Sequence, residues 1–265
     1  MQPDRCPMRR IGVMDYGSLI RDAWLTTWRN RLLWVLGLFA GVTVGTLGVG
    51  GSALPLPTLA QLQAWMPALV QLELAIAGGA LLLAVISTIA RGGITEATLD
   101  AEAGESVSLV RALRAGTRWF WRFFFLLVLL AVVIAIVGGA VVLATMNLGP
   151  LGALLSAMAL TVGATLSVVL AYAERAIVAL DLGPLAALRH GWELFIENLN
   201  QSLLVWLLSV LLAVGAGTVV ASLASSLTLL AGAVVLVAGA AVANAFFWSY
   251  WTLAYVRLAS PASTA

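Results

Sequence analysis

The side chains in this sequence with the means to do chemistry are few and widely spaced. Arg111, Arg114, Arg118 and Arg122 recur at intervals of three and four, which places them on one helix face. Such a face suits anionic lipid headgroups or an acidic partner. With Glu96, Asp100, Glu102 and Glu105 just before it, it also reads as a solvated surface partly paired with those acids. Glu73 and Asn244 are strongly polar residues set in long apolar runs. An acid inside a membrane helix is a candidate for function, although Glu73, about two turns in, also fits a wetted interfacial carboxylate. Asn244 is expected to hydrogen-bond a neighbouring helix. His190 is the single histidine and Cys6 the single cysteine, too few for haem ligation between spanning helices, for a metal site or for an internal disulfide. Thr88, Thr161, Thr165, Ser167 and Ser209 have no base near them in sequence and are expected to bond back to their own helices or join neighbouring ones. No catalytic, cofactor or metal site is expected.

The elements that must position these groups are set by composition. The 265 residues are 62% hydrophobic and only 10% charged, against roughly 25% in soluble domains. Too little polar surface exists to cover a globule in water, so the solvent is largely lipid. All 14 basic residues are arginine and the formal charge is only +2, with no basic run suited to nucleic acid. Residues 1–14 read as a mobile basic tail. The first apolar run follows about thirty fairly polar residues and is expected to serve as an uncleaved insertion signal.

Six apolar runs are expected to span the membrane, at about 32–50, 68–90, 119–145, 151–172, 203–221 and 227–255. Gly37, Gly41 and Gly45 stack on one face of the first, where another backbone can approach closely. That face packs either within the chain or against another subunit. Two amphipathic helices are expected, at Asp15–Asn30 and from Pro184 to about Asn200, and a third helix, capped by Ser106, carries the arginine face. Pro55, Pro57 and Pro67 break the first outer connection, and Asn147 to Pro150 forms a tight outer turn. Every arginine falls in the termini, in the second-to-third or fourth-to-fifth connection, or at the adjoining helix ends. With an even number of spans these lie on one side, which the positive-inside rule makes cytoplasmic, together with both termini.

An internal repeat organises this pattern. "LIRDAW", "ALRAGT" and "ALRHGW" each place Gly or Ala two residues after an arginine, and Arg21, Arg114 and Arg189 mark the register. The marks lie 93 and 75 residues apart. Each unit, at about 15–90, 106–172 and 184–257, reads as an interfacial amphipathic helix, a span, an uncharged turn and a second span. Three such units insert the same way up, as a ring about an axis near the membrane normal or as an open row. The expected fold is therefore an all-α integral membrane bundle forming one domain over 1–265.

Tyr172, Glu174, Asp181-Leu182-Gly183-Pro184, Ala187-Leu188-Arg189 and Trp192 form a pattern ahead of a spanning run. It resembles the membrane domain attached to some bacterial glycerophosphodiester phosphodiesterases, and that of related stand-alone bacterial membrane proteins. The detailed likeness covers about thirty residues, with the plan of about six spans extending over the chain. Such families usually show Ser where this chain has Gly191. The resemblance implies an architecture in the bacterial cytoplasmic membrane. It carries no catalytic domain and no site residues with it. Featureless spans without site chemistry point to a non-catalytic scaffold or accessory subunit, contacting membrane lipids and other membrane subunits. The alternative is a small transporter or lipid-handling protein.

Overall fold

The computed structural model of the chain describes residues 14–40, 59–148 and 150–259, the side chains of 59–77 and a few others excepted. The tail at 1–13, Gly41, Gly45, the outer part of the first expected span, Pro55 and Pro57 lie outside the described residues, whereas Pro67, expected to break the first outer connection, falls within a continuous helix over Leu59–Glu102. The described chain is helical, with no strand. Its helices are α1 (Tyr16–Arg29), α2 (Leu32–Ala40), α3 (Leu59–Glu102), α4 (Leu109–Leu148), α5 (Pro150–Ala179), α6 (Pro184–Glu197), α7 (Leu199–Ser225) and α8 (Leu229–Ala259). Five stretches are long and apolar enough to cross a membrane: Leu81–Glu102, Leu109–Leu143, Leu151–Ala179, Leu199–Ser225 and Leu230–Ala259. The first expected span is described only as far as Ala40, within α2.

Several boundaries differ from the sequence expectation. Gln61 to Met66 belongs to α3 itself, and α3 passes through Arg91 without a break. At 44 residues it is about 66 Å long, roughly twice the hydrocarbon thickness. It stops at Gly104, whose φ of +76° supplies the left-handed residue after a helix end. The next helix starts at Leu109, beyond Ser106, and runs unbroken into its span.

The reason for that continuity is visible in the register. Asn30 and Asn198, each nine residues after its marker arginine, break the chain between a short helix and the next. The two breaks are built alike. The side-chain amide and the backbone N–H of Asn30 both donate to the Thr26 carbonyl. Those of Asn198 both donate to the Leu194 carbonyl. The corresponding place after Arg114 is Phe123, which is buried in the core and has no amide to compete with the helix.

Around each marker arginine the residues two before and two after are buried: Leu19 and Ala23, Ala112 and Gly116, Ala187 and Gly191. These small surfaces set three close crossings. The first short helix packs on α8, through Leu19 and Ala23 against Tyr250, Leu253 and Ala254. The start of α4 packs on α3, where a Cβ on Gly93 would stand 2.7 Å from the Ala112 carbonyl oxygen. Helix α6 packs on α5, where a Cβ on Gly191 would stand 2.6 Å from the Val169 carbonyl oxygen. Helices α3, α5 and α8 also touch one another pairwise.

The apolar arcs of the two short helices divide between bundle and surroundings. On α6, Ala187, Leu194 and Phe195 face the bundle, while Leu185 and Trp192 are exposed. On α1, Trp24 and Trp28 point outward, where an indole suits the membrane interface.

Gly191 and Gly163 make a clean comparison, because a Cβ on Gly163 meets nothing. Gly191→Ala or Gly191→Ser is expected to destabilise by about 1–3 kcal/mol through overpacking, whereas Gly163→Ala is expected to be neutral or slightly stabilising. Thermal unfolding in mild detergent reads the difference; equal midpoints for all three variants would contradict the crossing described.

Candidate functional site

The meeting point of α3, α5 and α8 is filled by charge. Glu174 of α5 accepts from Arg91 Nη1 of α3 at 3.3 Å and from Arg175 Nη1 at 2.9 Å. Arg175 lies flat over the Trp248 ring of α8, its Cζ 4.0 Å from the centroid, and Arg91 reaches the same ring at 5.7 Å. Arg175 is 1% exposed, whereas Arg91 and Glu174 reach 17% and 16%. Around this cluster sit buried hydroxyls. Thr95 donates to the Arg91 carbonyl, Thr98 lies 3.5 Å from Ser249, and Tyr172 donates to Ser202 of α7 at 3.0 Å. Tyr250 donates to the Val205 carbonyl, tying α8 to α7. Three buried guanidinium nitrogens, Arg91 Nε and Arg175 Nε and Nη2, have no hydrogen-bond partner.

A second charged cluster braces the N-terminal third of α4 against the α5–α6 connection. Asp181 adopts a φ of 54°, a left-handed conformation that Asp tolerates better than most residues. Its carboxylate accepts from Trp119 Nε1 at 3.0 Å, Arg122 Nη1 at 2.7 Å and Arg118 Nη2 at 3.5 Å. Arg122 also donates to the backbone carbonyls of Asp181 and Leu182. The indole N–H, then the two arginines, hold the Asp181 carboxyl below its ordinary value of 3.8. A third cluster joins the chain's two ends: Arg257 of α8 donates to Asp22 at 2.6 Å and to Ser18 at 3.1 Å.

The four arginines of the expected face therefore have different uses. Arg118 and Arg122 hold Asp181, and Arg111 pairs with Glu105 at 2.7 Å and Asp100 at 3.3 Å. Arg114 is exposed and makes no ion pair among the described residues. Gly37 is used inside the chain: a Cβ there would stand 2.5 Å from the Ala241 carbonyl oxygen of α8. Gly41, Gly45 and the Glu73 side chain lie outside the described residues. Asn244 is half-buried on α8, and among the described residues its side chain makes no hydrogen bond. Among the described residues, Asn244 and the arginine face are not brought together. Thr88, Thr161, Thr165, Ser167 and Ser209 each donate to a carbonyl one turn back. His190 lies 3.3 Å from the Tyr255 hydroxyl.

Arg175 is the residue that sequence reasoning passed over. Its signal was the apolar sequence resuming at once after Glu174-Arg175, in "AYAERAIVAL", which marks a charge pair inside a packed helix rather than at its end. The residues of the "Y…E…DLGPL" pattern turn out to bind helix to helix, Tyr172 to α7, Glu174 to α3 and Asp181 to α4. No family model, curated protein or solved structure matches this chain.

Two outcomes follow from these clusters. Glu174→Gln leaves two guanidiniums without their carboxylate and is expected to cost about 3–5 kcal/mol, as for other broken buried pairs; chemical or thermal unfolding measures it. The Asp181 brace contributes stability above the carboxyl's ordinary value of 3.8, and that contribution is lost as pH falls through the lower folded value. Hydrogen exchange across residues 180–190 should therefore stay slow at neutral pH and quicken only in acid. Asp181→Asn should make it fast at neutral pH. Protection unchanged in that variant would show that the brace does not hold the connection.

Proposed function

We propose that this chain is a non-catalytic scaffold or accessory subunit of a larger complex in the bacterial cytoplasmic membrane, with its termini and arginine-bearing connections on the cytoplasmic side. The observation that carries this reading is that the centre of the bundle is filled. Trp248 and Arg175 pack face to face where α3, α5 and α8 meet. The charged groups around them act to hold helices together. The groove between α2 and α8, lined by Trp34, Leu38, Leu230, Val234 and Val237, is apolar.

The three-unit plan belongs to the same proposal, and contact order supports a closed ring. The short helix of the first unit packs on α8 of the third. The start of α4 packs on the last span of the first unit, and α6 packs on the last span of the second. The matched asparagine breaks after Arg21 and Arg189 support the equivalence of the first and third units. This build is what the resemblance to the membrane domain of glycerophosphodiester phosphodiesterases would imply.

Aromatic side chains near the start of α4 offer a partner surface. Trp121 is 73% exposed, and Phe120, Trp121 and Phe124 form one cluster with ring centroids 5.2–5.9 Å apart. Exposed aromatic anchors of this kind often dominate interface energetics. The second reading, a lipid-handling protein or small transporter, is favoured by the surplus of buried positive charge at Arg91 and Arg175.

Purification of the native protein in mild detergent, followed by mass spectrometry, separates the two. A stoichiometric membrane partner is expected, with Trp121→Ala and Phe124→Ala together weakening its retention by at least about tenfold, as for a pair of hot-spot residues. Recovery of the chain alone, or only with itself and lipid, would reject the scaffold reading in favour of the second.

A further inference from the structure

The five N–H bonds of Arg175 are used unevenly. Nη1 donates to the Ala171 carbonyl and to Glu174 Oε2, both at 2.9 Å. Nε and Nη2 donate to nothing, although Arg175 is among the most deeply buried side chains of the fold. These two nitrogens form the side edge of the guanidinium, whose parallel N–H bonds match two oxygens of a carboxylate or phosphate. Trp248 covers a face of the guanidinium, so an acceptor for that edge must approach in its plane.

Arg91 contributes the same imbalance. Its Nη1 is held by Glu174, while its buried Nε donates to nothing. Two guanidiniums thus share one carboxylate, and among the described residues no second acid pairs with either. The cluster carries one net positive charge. An unpaired N–H on a buried cation is costly, so the cluster is best satisfied by one monoanion presenting two oxygens. The part-exposed flanks of Arg91 and Glu174 leave the cluster short of sealed.

We propose that Arg175 and Arg91 form a binding site for a single phosphate oxyanion, gripped in the plane of Arg175 by Nε and Nη2 and supported by Arg91 Nε. A phosphodiester headgroup and dihydrogen phosphate both carry the single negative charge that matches the cluster. The site is independent of the scaffold reading, which stands or falls on partners rather than on anions.

The test uses the full chain, stripped of lipid in an alkyl maltoside without phosphate. One arm adds inorganic phosphate, with chloride at matched ionic strength as control. The other adds short-chain phosphatidylglycerol with no free phosphate. The wild type is expected to gain about 3 °C in Tm at ten times the Kd, rising with the logarithm of concentration above it. Arg175→Lys keeps the charge but loses the paired edge, and should bind about tenfold more weakly or worse. If that variant fails to fold, Arg91→Lys, which keeps the charge but replaces Nε and the Nη1 bond to Glu174 with a single ammonium, should bind at least several-fold more weakly. A gain with inorganic phosphate identifies free phosphate as a ligand, and a gain only with the lipid identifies the headgroup. Equal gain with chloride, full gain in the lysine variants, or no gain in either arm overturns the proposal, the last leaving those N–H groups to water.

Discussion

Lipid offers no hydrogen bonds, so a charge inside a membrane bundle must find its partners within the protein. Glu174 is the point at which this chain meets that demand. One carboxylate draws Arg91 of α3 and Arg175 of its own helix to the same place, and Trp248 of α8 supplies the aromatic face beneath them. The three helices cannot slide or rotate independently without separating charge from countercharge in a low dielectric, where the interaction is strong and its loss expensive. Apolar packing alone would tolerate such slippage, because lipid tails are as apolar as leucine and give helix association little hydrophobic drive. The ion cluster therefore supplies the register, and the small-residue crossings supply the closeness.

The arginine-bearing end of the bundle extends the same logic outward. Each brace joins segments far apart in sequence: Arg122 to Asp181 links α4 to the α5–α6 connection, and Arg257 to Asp22 links the last helix to the first. These pairs are partly exposed and individually contribute little. Their effect lies in geometry, since Arg122, held by the Asp181 carboxylate, donates to the backbone carbonyls of Asp181 and Leu182 in a connection that is neither helix nor lipid-facing span. The Asp22–Arg257 pair holds α1 against α8 in this way.

Much of the helical plan is legible in the sequence because it rests on properties that composition and period report directly. Apolar length marks the spans, and the Gly or Ala two positions after Arg21, Arg114 and Arg189 falls at a close helix crossing each time. The single exception in the middle unit also has a local cause, Phe123 standing where Asn30 and Asn198 break their helices. What the sequence conceals is pairing at a distance. Nothing near Arg118 and Arg122 in sequence points to Asp181, some sixty residues on, and the nearer acids Asp100 and Glu105 satisfy only Arg111. Glu174 and Arg175 are adjacent and read as a neutral surface pair until Arg91, eighty-three residues before Glu174, is brought against them. Helical periodicity assigns a residue to a face but not to a neighbour.

The same distinction bears on what the molecule can do. A transport path needs polar groups that change partners as substrate passes, whereas most charged contacts here are tied into helix junctions, and the Thr and Ser hydroxyls along the spans mostly bond back to their own helices while Tyr172 and Tyr250 tie helix to helix. Arg175 departs from that pattern. Its Nη1 is fixed twice over while its side edge is unpaired, so the residue that holds the centre together also retains donors able to recognise an anion. A purely structural cluster of Arg91, Glu174 and Arg175 could have been replaced as a whole by apolar side chains of similar volume at little cost or with a gain in stability. Its presence at the junction of α3, α5 and α8 is thus better explained by two demands than by one, fixing the register of the helices and presenting a positive, planar, hydrogen-bonding edge within an otherwise apolar bundle.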